Sequence, residues 1–376
     1  METPYWLDEP SYPRPGPRHD GPVDVAVVGG GVTGCSCALT LAEAGARVRL
    51  FEARTVASGA SGRNGGFALR GGAMHYGIAR ETLGPERAQA LWRLTERALD
   101  RMAELAGDAF RRVGSLRLAA DEQERDELRA EYDALRADGL AVEWVDELPE
   151  RLAGRYLGAI LHPGDGALHP ARWVQRLAAR AAGAGADVRE HARVSSLDEL
   201  EADHVVIASD GYPSGLVPEL DGVIRSTRGQ VVTTEPLPEL LYARPHYARR
   251  GFDYWQQLPD GRLVAGGRRD VALEDEFTSE EATTAPVQAA LESLVRDLVG
   301  HLPAITQRWS GIFGTSPDGL PVVGAVPGRE GLWVARGYSG HGNVLGLASG
   351  ELVANAILGR REPEPELELF DPARLL

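Results

Sequence analysis

The chain has 376 residues, of which 43% are hydrophobic and 25% are charged, a composition typical of a folded globular protein with a large core. Its formal net charge is −15, and all 40 basic residues are arginine, because the sequence contains no lysine. The acidic balance disfavours nucleic acid as a partner, since phosphate binding needs a basic surface. The missing lysine excludes Schiff-base chemistry on a lysine amine.

The N-terminal segment and the two cysteines are typical of a cytoplasmic protein. Residues 1–21 form a proline-rich N-terminal arm without the basic and apolar regions of a signal peptide, and no apolar run approaches the roughly eighteen residues that span a bilayer. The only cysteines, Cys35 and Cys37, are expected to be free thiols. We therefore expect a cytoplasmic protein that has no membrane partner.

The first elements predict a βαβ unit. An apolar, β-branched run starting at Val23 is typical of a buried parallel strand, and a glycine turn, a helix ending near Gly45 and a second strand follow it. Apolar residues at helical spacing then predict a helix over 85–107. Residues 111–119 alternate like one strand, and 121–139 form a helix with a narrow apolar stripe, expected to be a solvated cover.

The second half of the chain predicts a return to the first sheet, followed by another one. A helix leads into a strand over 166–194, and 202–211 contain a further buried strand. Residues 224–303 read as a mixed sheet with one helix, before a closing strand, glycine loop and helix. The fold class is therefore α/β, with a discontinuous Rossmann-type domain and a second mixed-sheet domain that would hold the substrate.

A first glycine loop, GGGVTG, stands between the first strand and the first helix. In the GxGxxG pattern, Gly29 permits the turn, Gly31 lets the backbone approach a pyrophosphate, and Gly34 lets helix and strand pack closely. Glu52 ends the second strand, where a carboxylate can accept both hydroxyls of an adenosine ribose. This favours NAD or FAD over NADP. The predicted cofactor site also includes the flanking residues Val32, Thr33 and Ala53.

A second glycine loop, SGASGRNGG, decides between NAD and FAD. FAD is the longer molecule and needs further donors along its pyrophosphate, ribityl chain and ring. Ser61, Arg63 and Asn64 can supply these donors, while Gly65 and Gly66 allow the backbone beside the ring. The sequence therefore predicts FAD.

A third glycine loop, GYSGHGN, precedes the last helix. The N-terminus of that helix can face the flavin O2 position, where negative charge develops on reduction. The predicted contacts in this loop are Gly340, His341, Gly342, Asn343 and Val344.

With the segments SPDGLPVVG and LFDPARL, the three loops resemble the D-amino-acid oxidase and sarcosine oxidase superfamily of FAD-dependent oxidoreductases, and within it the γ-glutamylputrescine oxidase branch. The resemblance runs from about residue 22 to 373. It implies an FAD-binding domain over 22–85, 155–215 and 308–376, and a substrate domain over 86–154 and 216–307. It also implies that Val194 holds the adenine through its backbone.

The same resemblance implies the chemistry. Members oxidise the C–N bond of an amine to an imine by hydride transfer to flavin N5, so no catalytic triad is required. Covalent flavin attachment in relatives uses a histidine or a cysteine, and the second loop has neither, so we expect noncovalent FAD. The nine histidines show no metal-binding spacing, and no metal is expected. The electron acceptor is oxygen or another, unknown oxidant, because the lysine that promotes oxygen use in sarcosine oxidases is absent.

Two departures from the superfamily concern substrate choice. Phe313 and Val344 stand where relatives carry an arginine or a lysine that grips a substrate carboxylate, which disfavours a plain α-amino acid. Arg70 is either a replacement anchor for an acidic group or a surface arginine. In the segment FDYWQQ, Tyr254 or Gln256 is expected to face the ring, with Trp255 pointing the other way.

These features predict an FAD-dependent oxidase or dehydrogenase of a primary or secondary amine, with polyamines or ω-amine derivatives as possible substrates. One alternative is an amino-acid oxidase with an unrecognised carboxylate anchor. Another is a flavin-binding electron-transfer subunit of a larger complex. Flavin-dependent tRNA modification is disfavoured by the chain's length and acidity.

Overall fold

The computed structural model describes residues 3–9, 16–360 and 365–376. The strands in these ranges are β1 (Val23–Val28), β2 (Val48–Phe51), β3 (Phe67–Ala68), β4 (Phe110–Arg111), β5 (Ser115–Leu118), β6 (Glu143–Val145), β7 (Ala159–His162), β8 (Gly166–Leu168), β9 (Asp187–Arg189), β10 (Ala202–Ile207), β11 (Arg225–Pro236), β12 (His246–Ala248), β13 (Asp253–Gln257), β14 (Arg262–Gly267), β15 (Ile305–Thr315), β16 (Val322–Ala325) and β17 (Leu332–Arg336). The α-helices are α1 (Val32–Glu43), α2 (Ala60–Arg63), α3 (Tyr76–Leu83), α4 (Pro85–Ala106), α5 (Glu122–Ala137), α6 (Pro170–Gly183), α7 (Pro218–Asp221), α8 (Ala285–Val299), α9 (Gly342–Ile357) and α10 (Pro365–Phe370).

The first sheet has the strand order β16-β17-β10-β1-β2-β9. Its pairs are parallel except β16 with β17, so the predicted βαβ unit and the return to this sheet are confirmed. Helix α1 packs closely on α9 because α9 presents glycines. A β-carbon on Gly346 would lie 2.7 Å from Val32 Cγ1, and one on Gly350 would lie 2.5 Å from the Thr33 carbonyl oxygen. The last helix is thereby fixed beside the first glycine turn.

The second sheet has the strand order β15-β11-β14-β13-β12-β5-β7-β6 and is mixed, since β12 pairs with β5 in parallel and the other pairs are antiparallel. Helix α8 packs on this sheet, and the core between them includes Trp255, Leu263 and Leu291. A small third sheet has the order β3-β8-β4. The predicted α/β class with a second mixed sheet is confirmed.

Local differences from the sequence predictions have physical causes. The strand predicted over 111–119 divides into β4 and β5, because Gly114 turns the backbone with a φ of +73°. The second glycine loop contains the single helical turn α2. Helix α5 is more than a solvated cover, since Glu124 and Glu131 are buried, and Glu131 pairs with Arg117.

The domain boundaries stay a prediction. Strand β7 lies within the segment 155–215 that was assigned to the FAD domain, yet it pairs in the mixed sheet. Strand β15 crosses the proposed boundary at 307 and 308. The mixed sheet therefore includes strands from both sides of the predicted boundaries.

The N-terminal arm is tied to the body of the protein. Tyr5–Leu7 form a 3-10 turn, and Trp6 is 1% exposed. The Trp6 indole donates a hydrogen bond to the carbonyl oxygen of Asn64 at 2.8 Å. The arm therefore supports the second glycine loop, although part of the predicted arm, residues 1–2 and 10–15, lies outside the described residues.

Candidate active site

A cavity of about 450 Å³ lies where the three glycine loops meet. The predicted site residues that line it are Gly29, Gly31, Val32, Thr33, Glu52, Ala53, Ser61, Arg63, Asn64, Gly65, Val194, Tyr254, Gly340, His341, Gly342, Asn343 and Val344. Gly34, Gly66 and Gln256 lie directly behind this lining. The structure thus brings together predicted residues that are spread over most of the chain.

The first loop is shaped for an anion. Gly29 has a φ of +120°, and a β-carbon on Gly34 would lie 1.9 Å from the Gly29 carbonyl oxygen, so neither position accepts a side chain. Helix α1 begins after Gly31, which has no side chain to cap it, and the Val32 N–H donates a hydrogen bond to Ser61 Oγ at 3.1 Å. N–H groups and the positive end of the helix dipole therefore face the cavity at this end.

Glu52 stands beside this loop at the end of β2. Its carboxylate accepts hydrogen bonds from the backbone N–H groups of Gly30 and Arg54, both at 2.8 Å. A carboxylate has about four acceptor sites, so two remain for a ligand hydroxyl pair. Val194 lies nearby in the lining, and no backbone hydrogen bond within the described ranges uses its N–H or carbonyl group.

The second and third loops are joined by two asparagines. The side-chain amides of Asn64 and Asn343 bond to each other reciprocally, each bond at 3.1 Å. Asn64 also accepts from the Gly66 N–H at 2.8 Å, and Asn343 donates to the Phe67 carbonyl at 2.7 Å. The sequence predicts Asn64 as a donor to the cofactor and Asn343 as a cofactor contact. In the structure their hydrogen bonds hold the two loops together.

The glycines of the second loop make room for β13. A β-carbon on Gly65 would lie 2.8 Å from the Tyr254 ring, and one on Gly66 would lie 2.3 Å from the Gln256 amide nitrogen. Gln256 is buried and donates to the carbonyl oxygens of Gly65 and Gly66 at 2.6 and 2.8 Å. Of the two residues expected to face the ring, Tyr254 therefore lines the cavity, and Gln256 supports the loop. Trp255 points into the opposite core.

A carboxylate enters the cavity from the distant segment after β14. Glu281 bonds to Arg54 at 2.8 and 2.9 Å and to the Tyr212 hydroxyl at 2.5 Å, and lies 3.4 Å from Arg63. Burial raises the pKa of Glu281, but the hydrogen bonds from Arg54 and Tyr212 outweigh it, and the pKa is lowered overall. Sequence reasoning found Arg63 but missed the other three residues.

The opposite end of the cavity has aromatic walls. Tyr254 packs edge-on against Phe67 with ring centroids 5.7 Å apart, and Tyr247 packs edge-on against His341 at 6.5 Å. Burial raises the pKa of Tyr254 to about 12, so its phenol stays protonated. Burial lowers the pKa of His341 to about 4, so its imidazole is neutral at pH 7. Phe313 completes this end.

Arg70 lies elsewhere. Its guanidinium bonds to Glu96 at 2.7 Å, to the Ala141 carbonyl at 3.1 Å and to His162 Nδ1 at 3.2 Å. Its side chain is 5% exposed, and it is not among the cavity-lining residues. It is therefore neither a surface arginine nor placed to contact a substrate in this cavity, and its predicted anchoring role gains no support.

Comparison with known proteins places the chain in a family. The family model described as FAD dependent oxidoreductase matches residues 24–356. The chain belongs to this family. Glycine oxidase of Geobacillus kaustophilus is 30% identical over 93% of this chain and 97% of its own length. Gamma-glutamylputrescine oxidoreductase of Escherichia coli is 27% identical over 90% of this chain and 84% of its own.

Solved structures agree with this assignment. The crystal structure of the Geobacillus kaustophilus glycine oxidase superposes with a TM-score of 0.78 at 28% identity, covering 94% of this chain and 98% of that one. The resemblance predicted from the three loops is thereby confirmed, and the protein is an FAD-dependent oxidoreductase.

The cavity fits the FAD of this family. Ser209 Oγ and His341 Nδ1 are buried in its walls with no hydrogen-bond partner in the part of the chain that the structure describes. Buried polar atoms are normally satisfied, so both call for a ligand with polar groups along its length. The glycine turn at the start of α1 suits the pyrophosphate, and Glu52 suits the ribose.

The described residues show neither a membrane span nor a metal site. No helix there is long and apolar enough to cross a bilayer. No group of three or more histidine, cysteine or acidic side chains is arranged to hold a metal ion. Cys35 and Cys37 are buried, and the two are not joined by a disulfide.

Proposed function

We propose that this FAD-dependent oxidoreductase oxidises a primary or secondary amine to an imine at the aromatic end of the cavity. The observation that carries the proposal is the enclosure of this end by Tyr247, Tyr254 and His341, beside the third loop. Bound FAD would be the oxidant: it would take a hydride from the carbon next to nitrogen, and the nitrogen would give up a proton to form the imine. The chain itself has to bind and orient the amine and exclude water.

The protonation states of Tyr254 and His341 suit the binding of an amine by the protein. The protonated Tyr254 phenol can donate a hydrogen bond to a ligand, and the neutral His341 imidazole does not repel a protonated amine as it arrives. Aromatic faces attract a cationic amine and tolerate the neutral form that is oxidised. No protein nucleophile is needed for this reaction.

The relatives support the same class. The names of glycine oxidase and gamma-glutamylputrescine oxidoreductase both denote substrates with an amino nitrogen. The cofactor contacts proposed for this chain are the lining residues of the three loops together with Glu52 and Val194. The FAD is proposed to be noncovalent, with oxygen or another oxidant as acceptor.

The test is anaerobic reduction of the purified, FAD-loaded protein by a panel of amines, followed through the flavin absorbance. We expect bleaching by at least one primary or secondary amine, and an imine or its hydrolysis product. A flavin that no amine reduces, but that a reduced partner protein does reduce, would instead support an electron-transfer subunit. Mixing the reduced protein with oxygen then distinguishes an oxidase from a dehydrogenase.

A further inference from the structure

One arginine at the aromatic end of the cavity, Arg269, has no anionic partner among the residues that the structure describes. Arg269 begins the 3-10 segment Arg269–Glu276, directly after β14, and lines the same cavity as Tyr247, Tyr254 and His341. Its guanidinium carbon lies 4.7 Å from the Phe252 ring centroid and 5.9 Å from that of Phe313. It is half-buried.

The neighbouring arginines are paired. Arg249 bonds to Asp253 at 3.0 Å and to Asp270 at 2.5 Å, and Arg268 bonds to Asp253 at 2.8 Å. The adjacent carboxylate in sequence, Asp270, and the carboxylate of Asp253 are thus already paired with other arginines. No hydrogen bond or ion pair of the Arg269 guanidinium is formed within residues 3–9, 16–360 and 365–376.

The other arginines of the cavity lining are either paired with a carboxylate or exposed to solvent. Arg54 and Arg63 share Glu281, and Arg193 is exposed at the Val194 end. Among the described residues, Arg269 is therefore the cavity-lining arginine that is partly buried and has no carboxylate paired with it. A guanidinium that rests on aromatic rings is held in orientation while its edge keeps its N–H donors free.

This arrangement suits a planar anion. An arginine edge binds a carboxylate through two parallel hydrogen bonds, a geometry that an ammonium or amide group cannot satisfy. A polyamine without a carboxylate would leave these donors unsatisfied and would bring like charge toward Arg269. The positive charge of Arg269 also influences the aromatic end of the cavity. It lowers the pKa of Tyr254, although burial raises that pKa by more.

We propose that Arg269 binds a carboxylate carried by the substrate, so that the preferred substrates are amines with a carboxylate group. The inference rests on the proposed amine oxidation and narrows its substrate class. The anchor is supplied by the segment after β14, and the Phe313 ring lies beneath its guanidinium. Arg269 is a specificity residue, and amines without the acid group lose this contact.

A binding test does not require turnover. The FAD-loaded protein is titrated with acetate and with acetamide, which differ in charge, and the flavin absorbance reports occupancy. We expect acetate to bind more tightly than acetamide. The substitution Arg269→Met should weaken acetate binding by roughly tenfold to a hundredfold. Arg269→Lys keeps the positive charge but loses the two parallel N–H donors, so its affinity for acetate should lie between those of the unmodified protein and Arg269→Met. Equal affinity for the two probes in the unmodified protein overturns the proposal.

A kinetic test uses substrate pairs that differ by the carboxylate, such as glycine against methylamine and β-alanine against ethylamine, under anaerobic conditions. The acid members should reduce the flavin at lower concentration, and Arg269→Met should remove that difference. A variant that slows both members equally contradicts the specificity role. If no amine reduces the flavin, the proposed function fails, while the acetate titration still decides the role of Arg269.

The control variant is Arg129→Met. Arg129 also rests on aromatic rings, 5.3 Å from the Tyr132 centroid and 4.8 Å from that of Trp144, but it is exposed and outside the cavity lining. It should leave acetate binding unchanged. The melting temperature of each variant shows whether the fold is retained.

Discussion

Tyr254 shows how single residues shape the site. Its ring lies between two glycines, since a β-carbon on Gly65 would lie 2.8 Å from it and one on Gly266 would lie 2.3 Å from it. Because Gly266 belongs to β14 and Gly65 to the second loop, the ring is wedged between the mixed sheet and the cofactor loop. A glycine-rich loop beside a flavin thus serves the protein's own packing as well as the ligand.

Gly65→Ala tests this wedge. We expect the substitution to lower the free energy of unfolding by about 1–3 kcal/mol through overpacking against Tyr254. In a Tyr254→Ala background the cost should largely disappear, which gives a double-mutant cycle with clear coupling. Urea unfolding of the four proteins measures it. Gly77→Ala is the control, since a β-carbon there meets nothing within 4 Å, and additive effects at Gly65 and Tyr254 would contradict the prediction.

At the scale of elements, the site depends on segments far apart in the chain. Asn64 and Asn343 are separated by 279 residues, and Arg54 and Glu281 by 227. The 3-10 turn Tyr5–Leu7 adds a third support, through the Trp6 indole and the Asn64 carbonyl. The second glycine loop is therefore held by the N-terminal arm, by β13 and by the start of α9.

Trp6→Phe tests the support from the arm. The substitution keeps an aromatic ring but removes the indole hydrogen bond, so we expect about 1 kcal/mol lower stability and several-fold weaker FAD binding. Titration of the apoprotein with FAD measures the binding. Trp144→Phe is a matched control, since the Trp144 indole also donates a hydrogen bond, to Asp146 at 2.7 Å, outside the cavity lining. Equal FAD affinity of the two variants would show that the arm does not support the loop.

The limits of sequence prediction follow from these separations. Gly29, Gly31, Gly34 and Glu52 lie within one βαβ unit, where local patterns determine their arrangement, and their placement could be predicted. The partners of an arginine depend on tertiary contacts that no local pattern encodes. Arg70 was chosen for its closeness to the second loop in sequence, whereas Arg269 reaches the cavity through the pairing of β13 with β14.

At the scale of the whole molecule, buried histidines couple stability to pH. Burial lowers the pKa of His162 and of His246 to about 3, and that of His341 to about 4. An unfolded histidine binds a proton near pH 6.5, so acidification favours the unfolded chain. Asp165, Asp210 and Asp253 act in the opposite direction, since burial raises the pKa of each carboxyl, that of Asp165 to about 6, and the folded state then holds the extra proton. Burial also lowers the pKa of His169, to about 4, so four histidines oppose these three carboxyls, and stability should fall as the pH falls from 7 to 5.

His246→Phe isolates one of these groups, which packs in the core of the mixed sheet and does not line the cavity. The ring is 3% exposed and stacks on Trp255 with centroids 5.0 Å apart, and Nδ1 has no partner within the described residues, so phenylalanine can replace it with little loss of contacts. Because the folded pKa is depressed, this histidine contributes stability that is present above pH 6.5 and is lost as the pH falls toward 3. Between pH 7 and pH 5 the loss is on the order of 2 kcal/mol. Urea unfolding at saturating FAD gives the free energy of unfolding at each pH. Its slope against pH should be shallower for His246→Phe, corresponding to about one proton fewer bound on unfolding, and unchanged for His301→Gln at an exposed position. If both variants keep the slope of the unmodified protein, the buried neutral state of His246 is not a source of its acid sensitivity.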